Sequence, residues 1–348
     1  MVDVAVVGTG VMGAAAGWWL ARAGAAVTLF ERFATGHAHG SSHGPSRIFR
    51  LSYPDAEHVR MAQEALPLWR RLEAESGETL LLAGGGLDTG EDLATRAAVL
   101  EGCGVRFQLL DATAVSRRFP ALTIEPGTAA LHQPDGAVIR AELAWRTLVS
   151  AAVARGARLR EGVAVLGLQT VAGGVRLQTT AGTLRADAAV VTAGAWARPL
   201  LAGAGVELPT VATRETVAYF AVPGGLPDPT PTLVDWGTGS RYLLHSPGDG
   251  VKAGIHQATH VVDPDSPAEV DHETARRITE WVTARCPGAD PVPRRSETCL
   301  YTNTADEGFV LERHGPLIVG SACSGHGFKF APLIGRRLAE MALGMSPP

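Results

Sequence analysis

No stretch of this chain is apolar for long enough to span a bilayer. Its first apolar run, VDVAVVG, is too short for a signal-peptide core, lacks a basic leader and flows into a glycine motif. The sequence therefore predicts a cytoplasmic protein with no membrane partner. There is no basic tail and no block of like charge. A net charge of −4 over 348 residues argues against a nucleic-acid partner and for a small molecule. Cysteine is scarce: Cys103, Cys286, Cys299 and Cys323 are scattered without CxxC spacing, which argues against a disulfide framework or a zinc knuckle and leaves any cysteine chemistry to single residues. A GxSxG elbow is missing, as is a paired-carboxylate site with supporting context, so hydrolysis is not signalled. HQATH has the spacing of the zinc-protease HExxH, but Gln257 stands where that motif has its general base and the segment reads as strand, so no metal is expected. No internal repeat is evident. What is present, 46% hydrophobic and 19% charged residues, suffices for a large core and two lobes.

The chain begins strand, helix, strand: DVAVVG, TGVMGAAAGWWLARAG, AAVTLFE. An amphipathic pattern over 56–77 contains Pro67, which is expected to bend or split a helix there. Another helix reads from Ala141 to Arg155, with Gly156 placed to stop it. Strands follow around VAVLGLQT, VRLQTT and DAAVVTAG. From Arg214 to Gln257, four strand-like runs separated by Pro, Gly, Asp and Ser predict an antiparallel second lobe. GPLIVGS and APLIGRRLAEMAL then read as a buried strand and a closing helix, so the cofactor lobe is expected to be assembled from separated pieces.

Gly8, Gly10 and Gly13, with Gly17 one turn later and Glu31 closing the second strand, form a dinucleotide-binding pattern. Gly8 permits the tight turn, Gly10 lets the backbone approach a pyrophosphate, and Gly13 and Gly17 allow the helix to pack closely on the sheet. Glu31 suits an unphosphorylated ribose diol. The motif does not choose between NAD and FAD.

Two later stretches are unusual. HGSSHGPSRIFR, residues 39–50, carries two His and two Arg with no acid. Arg47 and Arg50 would share a face in a helix and oppose each other in a strand; a solvated loop is the alternative. In CSGHGFKF, Lys329 lies between Phe328 and Phe330, where an unpaired ammonium would be costly to bury. Either it has an anionic partner or its amine snorkels to solvent. Gly325 and Gly327 allow close backbone approach there.

GTGVMGAAAGWWLARAG, GSSHGPSRIFR, CLYTNTADE and SGHGFKF together resemble, in matching order from residue 3 to about 343, the monomeric sarcosine oxidase and N-methyltryptophan oxidase family of D-amino-acid-oxidase-like flavoproteins. The resemblance implies an α/β fold, with a Rossmann-type FAD-binding domain of the GR2 kind and a second, mixed-sheet α+β substrate domain. The FAD-binding domain is expected over 1–80, 138–208 and 305–348, and the substrate domain over 81–137 and 209–304. The implied reaction is oxidation of the C–N bond of a secondary amino acid by oxygen in a monomeric enzyme, yielding an imine and hydrogen peroxide. A flavin dehydrogenase with another acceptor and an NAD-dependent dehydrogenase are the alternatives.

Residue by residue, Cys299 matches the cysteine that this family joins to the flavin, a bond that needs a thiolate. Arg50 and Lys329 match the pair that binds substrate carboxylate. Arg47 matches the cation beside the flavin ring, and Lys252 an oxygen-activating lysine. His256, Tyr301 and, across a one-residue gap, Tyr242 match active-site residues. The cofactor surface is expected to include Gly8, Gly10, Val11, Met12, Gly13, Glu31, Arg32, Ser41, Ser42, His43, Ser46, Gly325, Gly327 and Phe328. Two departures bear on the substrate: YLLH replaces the usual YGFP hairpin, and Cys323 stands where relatives commonly carry glycine.

Overall fold

The computed structural model describes residues 2–237, 239–256, 260–321 and 323–345; Gln257 of the HQATH segment lies outside them. The opening apolar run forms the strand Asp3–Val7, buried at four of its five positions. It sits inside a six-stranded sheet ordered Val310–His314, Leu317–Ser321, Ala188–Val191, Asp3–Val7, Ala26–Phe30, Arg158–Arg160. Every pairing is parallel except the outermost one, between Val310–His314 and Leu317–Ser321. From Asp3–Val7 the chain crosses to Ala26–Phe30 on one side, while Ala188–Val191 lies on the other. The topological switch point, where such sheets open a crevice, therefore falls at the carboxyl end of the first strand.

The helix Val11–Arg22 is buried at ten of its twelve positions because it packs on this sheet and beneath the helices Ala141–Val153 and Ala331–Ala342. A Cβ on Gly335 would lie 2.5 Å from Ala15, so its absence sets how closely the first and last helices approach. Trp19 Nε1 donates to the Pro332 carbonyl at 2.8 Å across the same contact.

Pro67 does not split its helix, which runs unbroken from Ala56 to Ser76. Asp55 caps its start by accepting from His58 N, Gly77 ends it at φ +75°, and Val59, Ala62, Ala65, Leu68, Trp69 and Leu72 bury one face. That burial offsets the roughly 3 kcal/mol that an interior proline costs.

Nine strands drawn from residues 86–133 and 211–303 form the second sheet, antiparallel but for the pairing of Gly86–Thr89 with Thr232–Asp235. Its far face carries Val251, Ala253 and Ile255, which pack with Ile278, Trp281 and Val282 of the helix His272–Arg285. By the two-residue period of a strand, Lys252 and Gly254 point the other way, toward the first sheet. Ser46–Phe49 joins Ala137–Arg140 and Leu81–Ala83 in a small third sheet. A fourth, of Val165–Val171, Gly174–Thr179 and Gly182–Ala186, covers the first sheet opposite its helices.

Candidate functional site

A cavity of about 1260 Å³ runs from the carboxyl ends of the parallel strands to Trp236 and Tyr242. It exceeds the roughly 300–1,000 Å³ of an ordinary small-ligand pocket. All the site residues named from the sequence line it except Gly13. A Cβ on Gly13 would lie 2.0 Å from the Gly8 carbonyl, so this glycine works from beneath, by keeping the turn tight. Gly8 itself has φ +90°, and a Cβ there would meet the Thr192 carbonyl at 2.7 Å.

At this end Val11 N, in the first turn of its helix, donates to Ser42 Oγ at 3.0 Å. The buried Glu31 carboxylate accepts from Thr9 N and Phe33 N, each at 3.1 Å, with His37 Nε2 at 3.3 Å. Burial pushes this carboxyl up, but the bonds from His37, Phe33 and Thr9 together hold it below its ordinary range. Arg32 pairs with Asp265 at 3.0 Å, and the same carboxylate accepts from Trp196 Nε1 at 3.0 Å. A glycine-rich turn, a helix amino terminus and an acid held toward its ionised form fit the pyrophosphate and ribose of FAD.

Arg47 lies in the strand Ser46–Phe49 and Arg50 is the residue just past its end; both line the cavity. Arg47 donates to the carbonyls of Ser41 (2.8 Å), His43 (2.6 Å) and Ser46 (2.8 Å) and stands 5.6 Å from the Phe328 ring centre. It therefore folds the glycine-rich loop onto itself as well as presenting charge. Gly44, at φ +94°, lets that loop pass: a Cβ would meet Tyr219 Oη at 3.3 Å, Arg47 at 3.5 Å and Lys252 Nζ at 3.9 Å.

Lys252 Nζ has Ser46 O at 3.5 Å. Burial, and then the Arg47 cation, bring its pKa down to about 7. His43 is lowered to about 4 by burial and by both cations. Cys299, paired in register with Glu215, departs from the thiolate that flavin attachment needs. Burial pushes its thiol up, and this outweighs Arg47 and Lys252, which act to lower it. Cys323 Sγ donates to Ser41 Oγ at 3.8 Å.

At the far end, Lys329 is 4% exposed yet forms no ion pair among the described residues. Instead of an anionic partner it has two neutral acceptors, Tyr53 Oη at 2.9 Å and His326 O at 2.6 Å. Burial, then the Arg50 cation, hold it well below the usual lysine range. The Arg50 guanidinium lies 4.0 Å from the Tyr53 ring centre and 4.7 Å from that of Trp236, and it donates to Ser52 O. His326 Nδ1 accepts from Tyr53 Oη at 3.2 Å, and burial lowers this imidazole to about 2. Tyr53 and Trp236 were not foreseen; both are single aromatics outside any motif in the sequence and acquire a role only through what folds against them.

His256 sits just past the strand Gly250–Ile255, with its N–H on Ser240 O at 2.7 Å and its ring 5.6 Å from that of Tyr301. Burial raises the phenols of Tyr242 and Tyr301. Tyr242 stands over Gly254, where a Cβ would come within 2.5 Å of its hydroxyl. Gly325, at φ +71°, makes room in the same way: a Cβ would lie 2.2 Å from Tyr301 and 2.6 Å from His256. Gly325→Ala is therefore expected to lower stability by about 1–3 kcal/mol and to disturb both rings. Thermal unfolding and near-ultraviolet circular dichroism check this; unchanged values would mean that the loop simply shifts.

The profile described as "DAO: FAD dependent oxidoreductase" matches residues 3–341. Human peroxisomal sarcosine oxidase is 32% identical over 99% of this chain and 93% of its own length. Monomeric sarcosine oxidase of Bacillus sp. strain B-0618 is 30% identical over 98% and 92%. The open form of NikD, an unusual amino acid oxidase essential for nikkomycin biosynthesis, superposes with TM-score 0.90 at 30% identity, covering 99% of this chain and 95% of that one. The chain belongs to the DAO family of FAD-dependent oxidoreductases, among its members of sarcosine oxidase type.

Proposed function

We propose that this flavoprotein oxidises the C–N bond of a secondary amino acid, N-methylated or cyclic, with oxygen as acceptor. The observation that carries the reading is the pair Arg50 and Lys329, two buried cations on the wall of one cavity, neither in an ion pair among the described residues. A substrate carboxylate supplies the missing anion, and the Arg fork sets its direction. Relatives named for sarcosine, N-methyl-L-tryptophan and amino acid oxidation support the same class of substrate.

When bound, FAD would supply the two-electron acceptor for the substrate and the route by which oxygen is reduced to hydrogen peroxide. Arg50 and Lys329 anchor the carboxylate, and their charge lowers the pKa of the substrate amine so that its proton leaves before hydride transfer. Tyr242, Tyr301 and His256 line the amine side. Arg47 and Lys252 place positive charge where negative charge develops. Cys299 supplies the sulfur for covalent attachment of the flavin. Residues 1–80, 138–208 and 305–348 make up the FAD-binding unit, and the remainder the substrate unit.

Acid precipitation of the purified enzyme tests the cofactor and its bond together. The wild-type pellet should be yellow, and Cys299→Ser should release all flavin to the supernatant. Release from the wild type would remove the bond. Anaerobic bleaching of the flavin by N-methyl and cyclic amino acids, with peroxide formed in air, tests the reaction. Bleaching without peroxide would reassign the enzyme as a dehydrogenase, and bleaching by primary amino acids alone would overturn the substrate class.

A further inference from the structure

Resting on the reading of Arg50 as a carboxylate ligand, we infer that Trp236, fixed by Asp88 and backed by Arg96, is the positioning residue that aims the Arg50 fork at the substrate. The Arg50 guanidinium carbon lies over two rings, 4.0 Å from the centre of Tyr53 and 4.7 Å from that of Trp236, and one of its nitrogens is spent on Ser52 O. Packed against both rings and bonded to one carbonyl, the guanidinium is restricted in how it can turn while it keeps further donors for a ligand. Bidentate recognition of a carboxylate uses such donors.

Trp236 is itself held by two other side chains. Its Nε1 donates to Asp88 Oδ1 at 2.7 Å. The Arg96 guanidinium, buried at 5% exposure, stands 3.8 Å from its ring centre. The indole is thus shared by two guanidinium groups, one of them on the cavity wall and the other behind it. Arg96 also reaches Ser52 O, at 3.4 Å, so both arginines converge on one carbonyl.

Asp88, 1% exposed, ties this stack to the chain segment that carries Arg50. Its Oδ2 accepts from Gln133 Nε2 at 2.9 Å, and Gln133 Oε1 accepts from Leu51 N at 2.6 Å and Ser52 N at 3.2 Å. A single carboxylate therefore fixes the indole directly and, through Gln133, the backbone immediately after Arg50. Burying two guanidinium groups and a carboxylate to brace one tryptophan costs more than an apolar core of equal volume. Arg96 Nε also has no hydrogen-bond partner among the described residues. That expense fits a network that specifies one orientation of Arg50 and leaves its charge uncompensated until an anion arrives.

The test uses the holoenzyme and two isosteric probes, acetate and acetamide, followed by flavin absorbance and by calorimetry at constant ionic strength. For Trp236→Leu the acetate Kd is expected to rise about 3- to 30-fold, the range of a cation–π contact, with acetamide unchanged. Trp236→Phe, which keeps a ring but loses the bond to Asp88, should fall between, as should Asp88→Asn. Acetate affinity retained in all three variants, or lost equally with that of acetamide, overturns the clamp. Arg50→Gln, which removes the charge, separates the two levels of the argument. If it weakens acetate while the Trp236 and Asp88 variants do not, the clamp alone falls. If Arg50→Gln leaves acetate binding intact, the carboxylate reading falls and the clamp with it.

Discussion

Lys252→Met is expected to slow the reaction of the reduced enzyme with oxygen by about 10²–10³-fold, the usual cost of removing one preorganised charge from a water-excluded site. Anaerobic reduction by substrate should change far less, because Arg50 and Lys329, the proposed carboxylate ligands, are untouched. Stopped-flow measurement of the two half-reactions separates them; equal slowing of both would remove Lys252 from the oxygen step.

The same substitution should raise the melting temperature. Burial and the Arg47 cation bring Lys252 to about 7, whereas an unfolded lysine titrates near 10.4. Between those values the unfolded chain binds more protons than the folded one, so stability rises with pH through that window. Below about 7 both states hold the proton and the full penalty of the buried charge remains. Met removes that penalty, on the order of a few kcal/mol at neutral pH. A variant that is less stable than the wild type at pH 7 would show that the ammonium is better solvated than its surroundings indicate.

Lys329→Met is expected to weaken binding of carboxylated ligands by about 10- to 100-fold, the worth of a charge-assisted hydrogen bond. A second signature is more specific. In the absence of an anion, burial and Arg50 hold Lys329 well below its ordinary range, and an arriving carboxylate favours the charged form. Where the amine is neutral, binding therefore takes up a proton, and affinity falls as pH rises. Calorimetry with acetate in buffers of different ionisation enthalpy measures this uptake, which should vanish in Lys329→Met. Uptake that persists in the variant would assign the proton to another group.

The first strand, helix and strand were legible because each satisfies a local rule. Asp3–Val7 is a short β-branched run, the next helix is apolar all round, and Gly8, Gly10 and Gly13 sit where a tight turn needs them. Gly182–Ala186 and Gln108–Asp111 were not legible, since exposed strands carry neither a hydrophobic run nor a clean alternation. Of the two outcomes expected at Pro67, a bend or a split, the split does not occur, because a local rule counts the lost hydrogen bond and not the buried face that outweighs it.

Among candidate site residues, Arg47, Arg50, Cys299 and Lys329 could be named in advance because their types are chemically conspicuous and three short motifs carry them, and Lys252 because its position matches one in the family that the chain resembles. Their environments could not. That Lys329 is met by a tyrosine hydroxyl and a carbonyl in place of an acid, and that burial outweighs two cations at Cys299, depends on groups far away in the chain. Tyr53, Trp236, Asp88 and Gln133 had no signal at all, since none belongs to a motif.

By itself the sequence determined the nucleotide-binding turn and the broad class of chemistry, and it supplied candidates for the residues of the site, because these depend on residue type and on spacing of a few positions. Only the tertiary structure decided which cations stay uncompensated, which rings clamp them and how far each pKa moves. Those properties arise from desolvation and from contacts between strands that are neighbours in space and distant in the chain.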